Sequence, residues 1–293
     1  MKIIFVVGPT GVGKTKLSIE LAKKLDGEVV NADSVQVYEE LVIGSAKTTQ
    51  KEMDGIPHHL FDLKKLDENY TIYDYQKDAR KKIDEILKRG KTVIVVGGSG
   101  LYINACYYDY EFKKEDNIID IESLSDEEMY KELLKKNLPF EIDKDNRRRL
   151  MRYYVKYVNN SEEFTFGDVP SVYDNAIFLG LMADRKELYS LLDKRVDLMI
   201  EKGLIEEVRN LYRKYPNSRQ LHSSICYKEL IKYINGECML EDAIIEMKKN
   251  NRNYAKRQYT WLNHKLPVTF IDVDFLNFDR VIENALEIIK NKP

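Results

Sequence analysis

A glycine-rich loop between an apolar run and a helical pattern constrains the fold of this chain most strongly. The loop follows Ile3-Ile4-Phe5-Val6-Val7 and matches G-x-x-x-x-G-K-[ST] at every defined position. Glycines let the backbone turn so that successive N–H groups point inward, and the next helix offers its positive N-terminal end. The lysine adds a point charge, and the threonine adds a hydroxyl for a phosphate-bound Mg²⁺. The sequence therefore predicts a polyphosphate site formed by Gly8, Pro9, Thr10, Gly11, Val12, Gly13, Lys14 and Thr15.

Two further strand patterns end in short loops that carry polar residues or glycines. The second strand pattern precedes Asp33, and a third, at residues 92–96, precedes Gly97-Gly98-Ser99. Loops at the carboxyl ends of parallel strands line one crevice, so we expect Asp33 and Ser99 to face the phosphate site. Alternatively Asp33 caps a turn or helix, and the two roles are compatible. A P-loop hydrolase usually has a Mg²⁺-binding aspartate after this third strand, so the glycines disfavour hydrolysis, although Asp184 offers a substitute.

Motifs along most of the chain carry a resemblance to a known family. After the loop of residues 8–15 come Ala32-Asp33-Ser34-Val35-Gln36-Val37-Tyr38, Gly44-Ser45-Ala46-Lys47, Gly55-Ile56-Pro57-His58-His59-Leu60 and Val96-Gly97-Gly98-Ser99-Gly100-Leu101-Tyr102. Later come Asp184-Arg185, Lys194-Arg195-Val196-Asp197, Gly203-Leu204-Ile205-Glu206-Glu207-Val208 and Ala255-Lys256-Arg257-Gln258-Tyr259-Thr260-Trp261-Leu262. In this order and spacing they resemble the tRNA dimethylallyltransferase family. The resemblance covers most of the chain outside residues 111–145.

The resemblance implies a reaction and a role for each site residue. The reaction is transfer of a dimethylallyl group from its diphosphate to N6 of the adenine 3′-adjacent to the tRNA anticodon, with Mg²⁺ and without ATP hydrolysis. Because the adenine amine is a poor nucleophile, Asp33 fits a base that takes its proton. Lys14, Thr15 with its Mg²⁺, and Arg195 would stabilise the diphosphate, and by resemblance Ser99 lies beside the bridging oxygen. The alternative for Arg195 is a surface ion pair with its acidic neighbours.

Positive charge is concentrated in two segments, although the formal net charge is −2. No acidic residue lies between Met247 and Ile271, where basic residues alternate with aromatic ones, and residues 147–154 have the same mixed character. Basic groups meet phosphates and aromatic rings stack on unpaired bases. The alternative is an ordinary helix with Tyr254 and Trp261 in the core. By resemblance, the predicted tRNA-binding residues are Asp33, Ser34, Val35, Gln36, Arg148, Arg149, Leu150, Met151, Arg152, Lys256, Arg257, Gln258 and Trp261.

These patterns predict an α/β fold in which a parallel P-loop sheet is flanked by helices. We expect residues 1–110 and 173–293 to form the catalytic core with C-terminal tRNA-binding helices, and residues 111–172 to form a small helical insertion. Ser125 followed by Glu128 predicts a capping box that opens a helix through about Lys136. The family tends to have glycine where this chain has Cys226. Because cysteine disfavours positive φ, we expect either a different loop or a position without positive φ.

The remaining features indicate a cytoplasmic enzyme, and we expect a monomer that binds dimethylallyl diphosphate and the tRNA anticodon arm. No apolar run approaches the roughly 20 residues that span a bilayer, and the N-terminus begins a strand pattern rather than a signal peptide. Three widely spaced cysteines support neither a disulfide framework nor a zinc finger. We expect His58 and His59 to pack or bond locally. Alternative functions are a free-nucleotide isopentenyltransferase, a P-loop kinase and a nucleotide-binding adaptor; the first would not need Lys256-Arg257-Gln258.

Overall fold

The computed structural model describes residues 2–110, 124–136, 138, 142, 144, 147–158 and 169–292. The chain divides into two compact units. The larger comprises Met1–Asp109 with Ser171–Pro293, and the smaller comprises Tyr110–Pro170.

The larger unit is built on a parallel six-stranded sheet with the strand order β3-β2-β4-β1-β5-β6. Its strands are β1 (Ile3–Val7), β2 (Gly27–Asn31), β3 (His58–His59), β4 (Thr92–Gly97), β5 (Ile177–Met182) and β6 (Val268–Asp272). Every residue of β1 and β2 is buried, which is typical of a parallel sheet covered by helices on both faces. The predicted fold class is confirmed.

Ten of the helices that the structure describes belong to this larger unit. They are α1 (Lys14–Lys24), α2 (Gln50–Met53), α3 (Ile72–Lys88), α4 (Gly100–Tyr107), α7 (Arg185–Glu201), α8 (Leu204–Lys214), α9 (Arg219–Ser223), α10 (Tyr227–Ile234), α11 (Leu240–Lys265) and α12 (Phe278–Asn291). Of the helices in the described residues, none is long and apolar enough to cross a membrane.

The strand register brings the predicted loops to one edge of the sheet. Val7 pairs with Gly97 of β4 on one side and with Gly180 of β5 on the other. Asn31, which ends β2, pairs with Val96. Because these strands are parallel, the loops that follow β1, β2, β4 and β5 all leave from the same edge.

The smaller unit contains two described helices, α5 (Asp126–Leu134) and α6 (Arg147–Val158). They pack through a buried cluster of Met129, Leu133, Leu150 and Tyr154. The predicted capping box is confirmed, since the Ser125 hydroxyl accepts from the Glu128 N–H and the Glu128 carboxylate accepts from the Ser125 N–H. The helix ends two residues before the predicted Lys136. Much of the acidic stretch between residues 111 and 145 lies outside the described residues.

Candidate active site

The glycine-rich loop turns sharply between β1 and α1. Gly11 and Gly13 have φ angles of +80° and +98°, in the left-handed region that side chains with a Cβ disfavour. A Cβ on Gly13 would also lie 2.6 Å from the Phe278 ring. Lys14 begins α1 immediately after this turn. The backbone therefore places the helix N-terminus behind the loop, as an anion site requires.

A cavity of about 200 Å³ opens at this edge of the sheet. It is lined by the loop and by polar side chains from other segments. The cavity brings together most of the residues predicted to act in the reaction, because its wall includes Lys14, Thr15, Asp33 and Arg195.

Lys14 lies within this cavity in a setting that disfavours its charge. Its Nζ donates a hydrogen bond to the Pro9 carbonyl at 2.7 Å. The pKa of Lys14 is lowered to about 8, mainly by burial, with the negative charge of Asp33 opposing the shift and the positive charge of Arg195 adding to it. An incoming anion would relieve the cost of this buried positive charge.

Arg195 reaches the loop from α7. Its Nη1 donates to the Thr10 hydroxyl oxygen at 3.2 Å, and burial lowers the pKa of the guanidinium. Its acidic neighbours pair elsewhere: Asp193 with Arg252 and Asp197 with Lys248. The structure thus places Arg195 at the phosphate loop instead of in a surface ion pair.

Asp33 both lines the cavity and organises its own turn. Its Oδ1 accepts from the Val35 N–H at 2.8 Å and from the Gln36 N–H at 3.4 Å. Its own N–H donates to the Asn31 side chain at 3.0 Å. The cavity position and the turn cap therefore coexist, as the sequence allowed. Ser34 and Val35 are half-buried next to it.

The other two residues considered for phosphate or metal chemistry lie outside the cavity wall. Ser99 precedes α4 directly after Gly97 and Gly98, which line the cavity, but Ser99 itself is not among the lining residues. The Asp184 carboxylate caps α7 by accepting from the N–H groups of Lys186 and Glu187 at 2.9 and 3.0 Å. This cap accounts for Asp184 without a metal.

The predicted tRNA-binding residues of α11 divide between two environments. Lys256 and Arg257 are exposed, and the Arg257 guanidinium lies 5.7 Å from the ring centroid of Tyr254. Trp261 is half-buried and packs against Gly100, where a Cβ would lie 2.3 Å from the indole ring. Gln258 is buried. The helix therefore presents cations to solvent and packs its aromatic and amide residues inward.

The predicted tRNA-binding residues of α6 differ in how far their side chains are exposed to solvent. Arg149 is exposed and Met151 is half-buried. Leu150 is fully buried in the core of the smaller unit, so its side chain packs there. The side chains of Arg148 and Arg152 lie outside the described residues.

Sequence reasoning missed several polar residues of the cavity wall. They are Ser18, Asn31, Ser45 and Thr48. The signal for Asn31 was present, since it is a polar residue that ends a buried strand. Gln36, predicted as a tRNA contact, also lines the cavity while donating to the Ser45 carbonyl at 3.1 Å.

Each of the two adjacent histidines has a hydrogen-bond partner, and the partner of His58 is local in the chain, as predicted. His59 Nε2 lies 2.6 Å from the Glu28 carboxylate, and His58 Nδ1 lies 2.8 Å from the Ile56 carbonyl oxygen. His58 also lines the cavity, where burial lowers its pKa. Among the described residues, no cluster of three or more His, Cys, Asp or Glu side chains could hold a metal.

Cys226 contradicts the expectation of a position without positive φ. It has a φ of +76° in the turn before α10, so the position does adopt the left-handed conformation with a cysteine in place. The Glu229 carboxylate accepts from its N–H at 2.7 Å, and Asn251 donates to its sulfur at 3.4 Å. These contacts from outside the turn hold a conformation that cysteine alone disfavours.

Known proteins share this sequence and this architecture. The family model described as IPP transferase matches residues 36–265. The chain belongs to this family of tRNA dimethylallyltransferases. The tRNA dimethylallyltransferase of Macrococcus caseolyticus is 41% identical over 96% of this chain and 94% of its own. That of Anoxybacillus flavithermus is 42% identical over 99% of this chain and 97% of its own.

Solved structures of this family agree with the fold. The tRNA isopentenylpyrophosphate transferase of Bacillus halodurans superposes with a TM-score of 0.76 at 37% identity, covering 99% of this chain and 97% of its own. A eukaryotic dimethylallyltransferase described as acting on tRNA gives a TM-score of 0.84 at 30% identity, covering 100% of this chain and 81% of its own.

Proposed function

We propose that this protein transfers a dimethylallyl group from dimethylallyl diphosphate to N6 of the adenine 3′-adjacent to the anticodon in tRNA. Membership of the tRNA dimethylallyltransferase family supports prenyl transfer to tRNA. The structural observation that carries the proposal is the meeting of Lys14, Asp33 and Arg195 in the wall of one cavity. Two cations can bind the negative charges of a diphosphate, and the carboxylate beside them can accept a proton from an amine.

The cations act on the leaving group. As the adenine N6 attacks C1 of the dimethylallyl group, the bond from C1 to the diphosphate oxygen breaks and its electron pair passes to the diphosphate. Lys14, Arg195 and the N–H groups of the loop stabilise this developing charge, because they are fixed in place before the reaction. The bond between the two phosphates stays intact, so ATP hydrolysis has no part in the reaction.

Asp33 acts on the nucleophile. The lone pair of the adenine amine is delocalised into the ring, so bond formation to carbon needs removal of an N6 proton. A carboxylate within hydrogen-bond reach can accept that proton as the new bond forms. The turn bonds from Val35 and Gln36 fix the orientation of this carboxylate.

The residues of the cavity fit a Mg²⁺ ion that arrives with the diphosphate. Thr15 lines the cavity, at the first turn of α1, with a hydroxyl oxygen of the kind that Mg²⁺ prefers. Such an ion takes one or two protein ligands and draws the remainder from phosphates and water. We assign Thr15 as the residue that would hold it. When bound, Mg²⁺ would neutralise part of the diphosphate charge.

Exposed lysine and arginine side chains would bind the phosphates of the tRNA. Lys256 and Arg257 on α11 and Arg149 on α6 are exposed, and exposed cations can contact phosphates. The roles of Ser99, Ser34, Val35 and Gln36 in substrate contact stay predictions, as do the cytoplasmic location and the monomeric state.

The decisive experiment incubates the protein with dimethylallyl diphosphate, Mg²⁺ and an anticodon-arm tRNA, followed by mass spectrometry of the digested RNA. We expect prenylated adenosine in the substrate and none in a matched RNA with guanine at the target position. Transfer to free AMP but not to tRNA would favour the free-nucleotide enzyme. Conversion of ATP to ADP by phosphoryl transfer to an acceptor, without prenyl transfer, would favour the P-loop kinase.

A further inference from the structure

Gln258 joins α11 to two loops of the cavity through both polar atoms of its amide. Its Oε1 accepts from the Thr10 N–H at 2.9 Å, and its Nε2 donates to the Gly98 carbonyl at 2.8 Å. The residue is only 6% exposed. A Cβ on Gly98 would lie 2.2 Å from Nε2. Gln258 therefore fills the space between the phosphate loop and the loop after β4.

The two partners require opposite hydrogen-bonding roles from one side chain. Thr10 presents a donor and Gly98 presents an acceptor. A side-chain amide carries a neutral acceptor and a neutral donor on two separate atoms at its tip, so it can serve both partners at once. Removal of that amide would leave the buried Gly98 carbonyl and the half-buried Thr10 N–H without this partner, which is costly. Thr10 is the third residue of the phosphate loop. Its bond to Gln258 therefore holds the backbone near the beginning of that loop in place.

The next residue on α11 makes a similar connection to a third loop. The Tyr259 hydroxyl accepts from the Ala183 N–H at 3.0 Å. Gly98, Thr10 and Ala183 follow β4, β1 and β5, which are neighbours in the sheet. Helix α11 is thus bonded across the carboxyl ends of three adjacent strands. Its exposed Lys256 and Arg257 lie within one turn of these bonds.

We propose that Gln258 is a positioning residue that holds the phosphate loop in its diphosphate-binding conformation, in place of the tRNA contact expected from the sequence. The inference rests on the proposed function, because it assigns Gln258 to the diphosphate of that reaction. Each amide atom has a protein partner in one of the two loops, and the side chain reaches the cavity wall between them. Gln258 acts through Thr10 and Gly98 and does not touch the reacting atoms.

The test variant is Gln258→Met, which keeps the length of the side chain but removes both bonds. We expect the KM for dimethylallyl diphosphate, and the Kd for inorganic diphosphate measured by calorimetry without tRNA, to rise about 10-fold or more as the Thr10 N–H and the Gly98 carbonyl lose their partner. The KM for tRNA stays within about twofold, because most RNA affinity comes from phosphate contacts elsewhere. The matched control Lys256→Ala, two residues away and exposed, should raise the KM for tRNA and leave diphosphate affinity unchanged.

A Gln258→Met protein with normal diphosphate affinity, or one that loses tRNA affinity instead, overturns the inference. If that variant fails to fold, Gln258→Asn replaces it with the same expectations, because its amide is one methylene too short to span both partners. Prenyl transfer by the wild type is measured in parallel. Wild-type protein without transfer contradicts the proposed function, whereas normal wild-type transfer with an unaffected variant contradicts only the role of Gln258.

Discussion

The guanidinium of Arg195 donates a hydrogen bond to the hydroxyl of Thr10, a residue 185 positions earlier in the chain. The contact links the middle of α7 to the phosphate loop after β1. It places a second cation beside the Lys14 ammonium, close enough to lower the pKa of that group. Two like charges are costly to hold together in a buried wall. A ligand that carries more than one negative charge would offset that cost.

Replacing Arg195 with methionine should slow prenyl transfer by at least about 100-fold, because one preorganised stabiliser of the leaving diphosphate is lost. The methionine keeps most of the apolar stem, so folding is preserved. Single-turnover transfer with saturating tRNA measures the effect. The control is Lys194→Ala, which removes an exposed charge from the neighbouring position and should leave the rate unchanged. Equal rates for the two variants would contradict a role for Arg195 at the diphosphate.

Lys14 should give diphosphate binding a specific pH dependence. The free protein holds this ammonium with a pKa of about 8, set by burial and Arg195 against Asp33. Below that pH the charge is present and assists binding. Above it, Lys14 is neutral in the free protein and must take up a proton for the charged form to bind diphosphate. The ratio of diphosphate affinity between wild type and Lys14→Met should therefore fall by up to tenfold per pH unit. Calorimetric titration of both proteins from pH 6 to about 9.5 tests this; a constant ratio contradicts it.

The sheet could be predicted because the sequences of its central strands have clear apolar segments that end at turn residues. Residues 3–7 and 92–96 are largely apolar runs followed by glycine, and residues 27–31 carry Val29-Val30 just before the turn that contains Asp33. Strands β1, β2 and β4 match these segments within one residue. The edge strand β3 has only two residues, so no periodicity could reveal it. The outer strand β6 is only partly buried, which weakens its pattern.

Adjacent residue types in the sequence indicate the parts of the candidate site whose chemistry is local, but they do not indicate the hydrogen bonds that depend on the tertiary fold. The phosphate loop and Asp33 follow from adjacent residue types. The bonds of Gln258 join positions 248 and 160 residues apart, which no local pattern encodes. Likewise, a preference against positive φ predicted the wrong backbone at Cys226, because Glu229 and Asn251 stabilise that turn from outside it.

The positive φ of Cys226 should make glycine more stabilising than alanine at this position. Both Cys226→Gly and Cys226→Ala remove the sulfur contact with Asn251, but only alanine keeps a Cβ in the left-handed region. We expect the free energy of unfolding in urea to be about 1 kcal/mol higher for the glycine variant. At the exposed helical position Lys232 the same pair of substitutions should give the opposite order. The same order at both positions would contradict backbone strain at Cys226.

Arg257 should contribute one phosphate contact to tRNA binding. The affinity for tRNA is expected to fall steeply as salt rises, and Arg257→Ala should reduce the slope of log K against log salt by about one ion. Lys290→Ala removes an equally exposed charge from α12 and serves as the control. Filter binding at several salt concentrations measures the slopes. A slope that changes as much for Lys290→Ala as for Arg257→Ala would show a general charge effect instead of a specific contact.

Asp33 can be tested by a substitution that separates its two roles. Asn accepts the Val35 and Gln36 N–H bonds as well as Asp does, so Asp33→Asn should preserve the turn at a cost of a few tenths of a kcal/mol. It removes the proton acceptor, and transfer should therefore slow by roughly 10²- to 10⁴-fold. Binding of tRNA should persist, because most of the affinity comes from phosphate contacts elsewhere.

Single-turnover transfer and tRNA filter binding, measured side by side for wild type and Asp33→Asn, decide between these roles. Loss of transfer with normal tRNA binding is expected of a base. An unchanged rate would remove Asp33 from the mechanism and leave it as a turn cap held by Asn31. Loss of both prenyl transfer and tRNA binding would mean that Asp33 is needed for the structure of the site. Because Lys14 and Arg195 are retained in this variant, diphosphate affinity provides the internal control and should not fall.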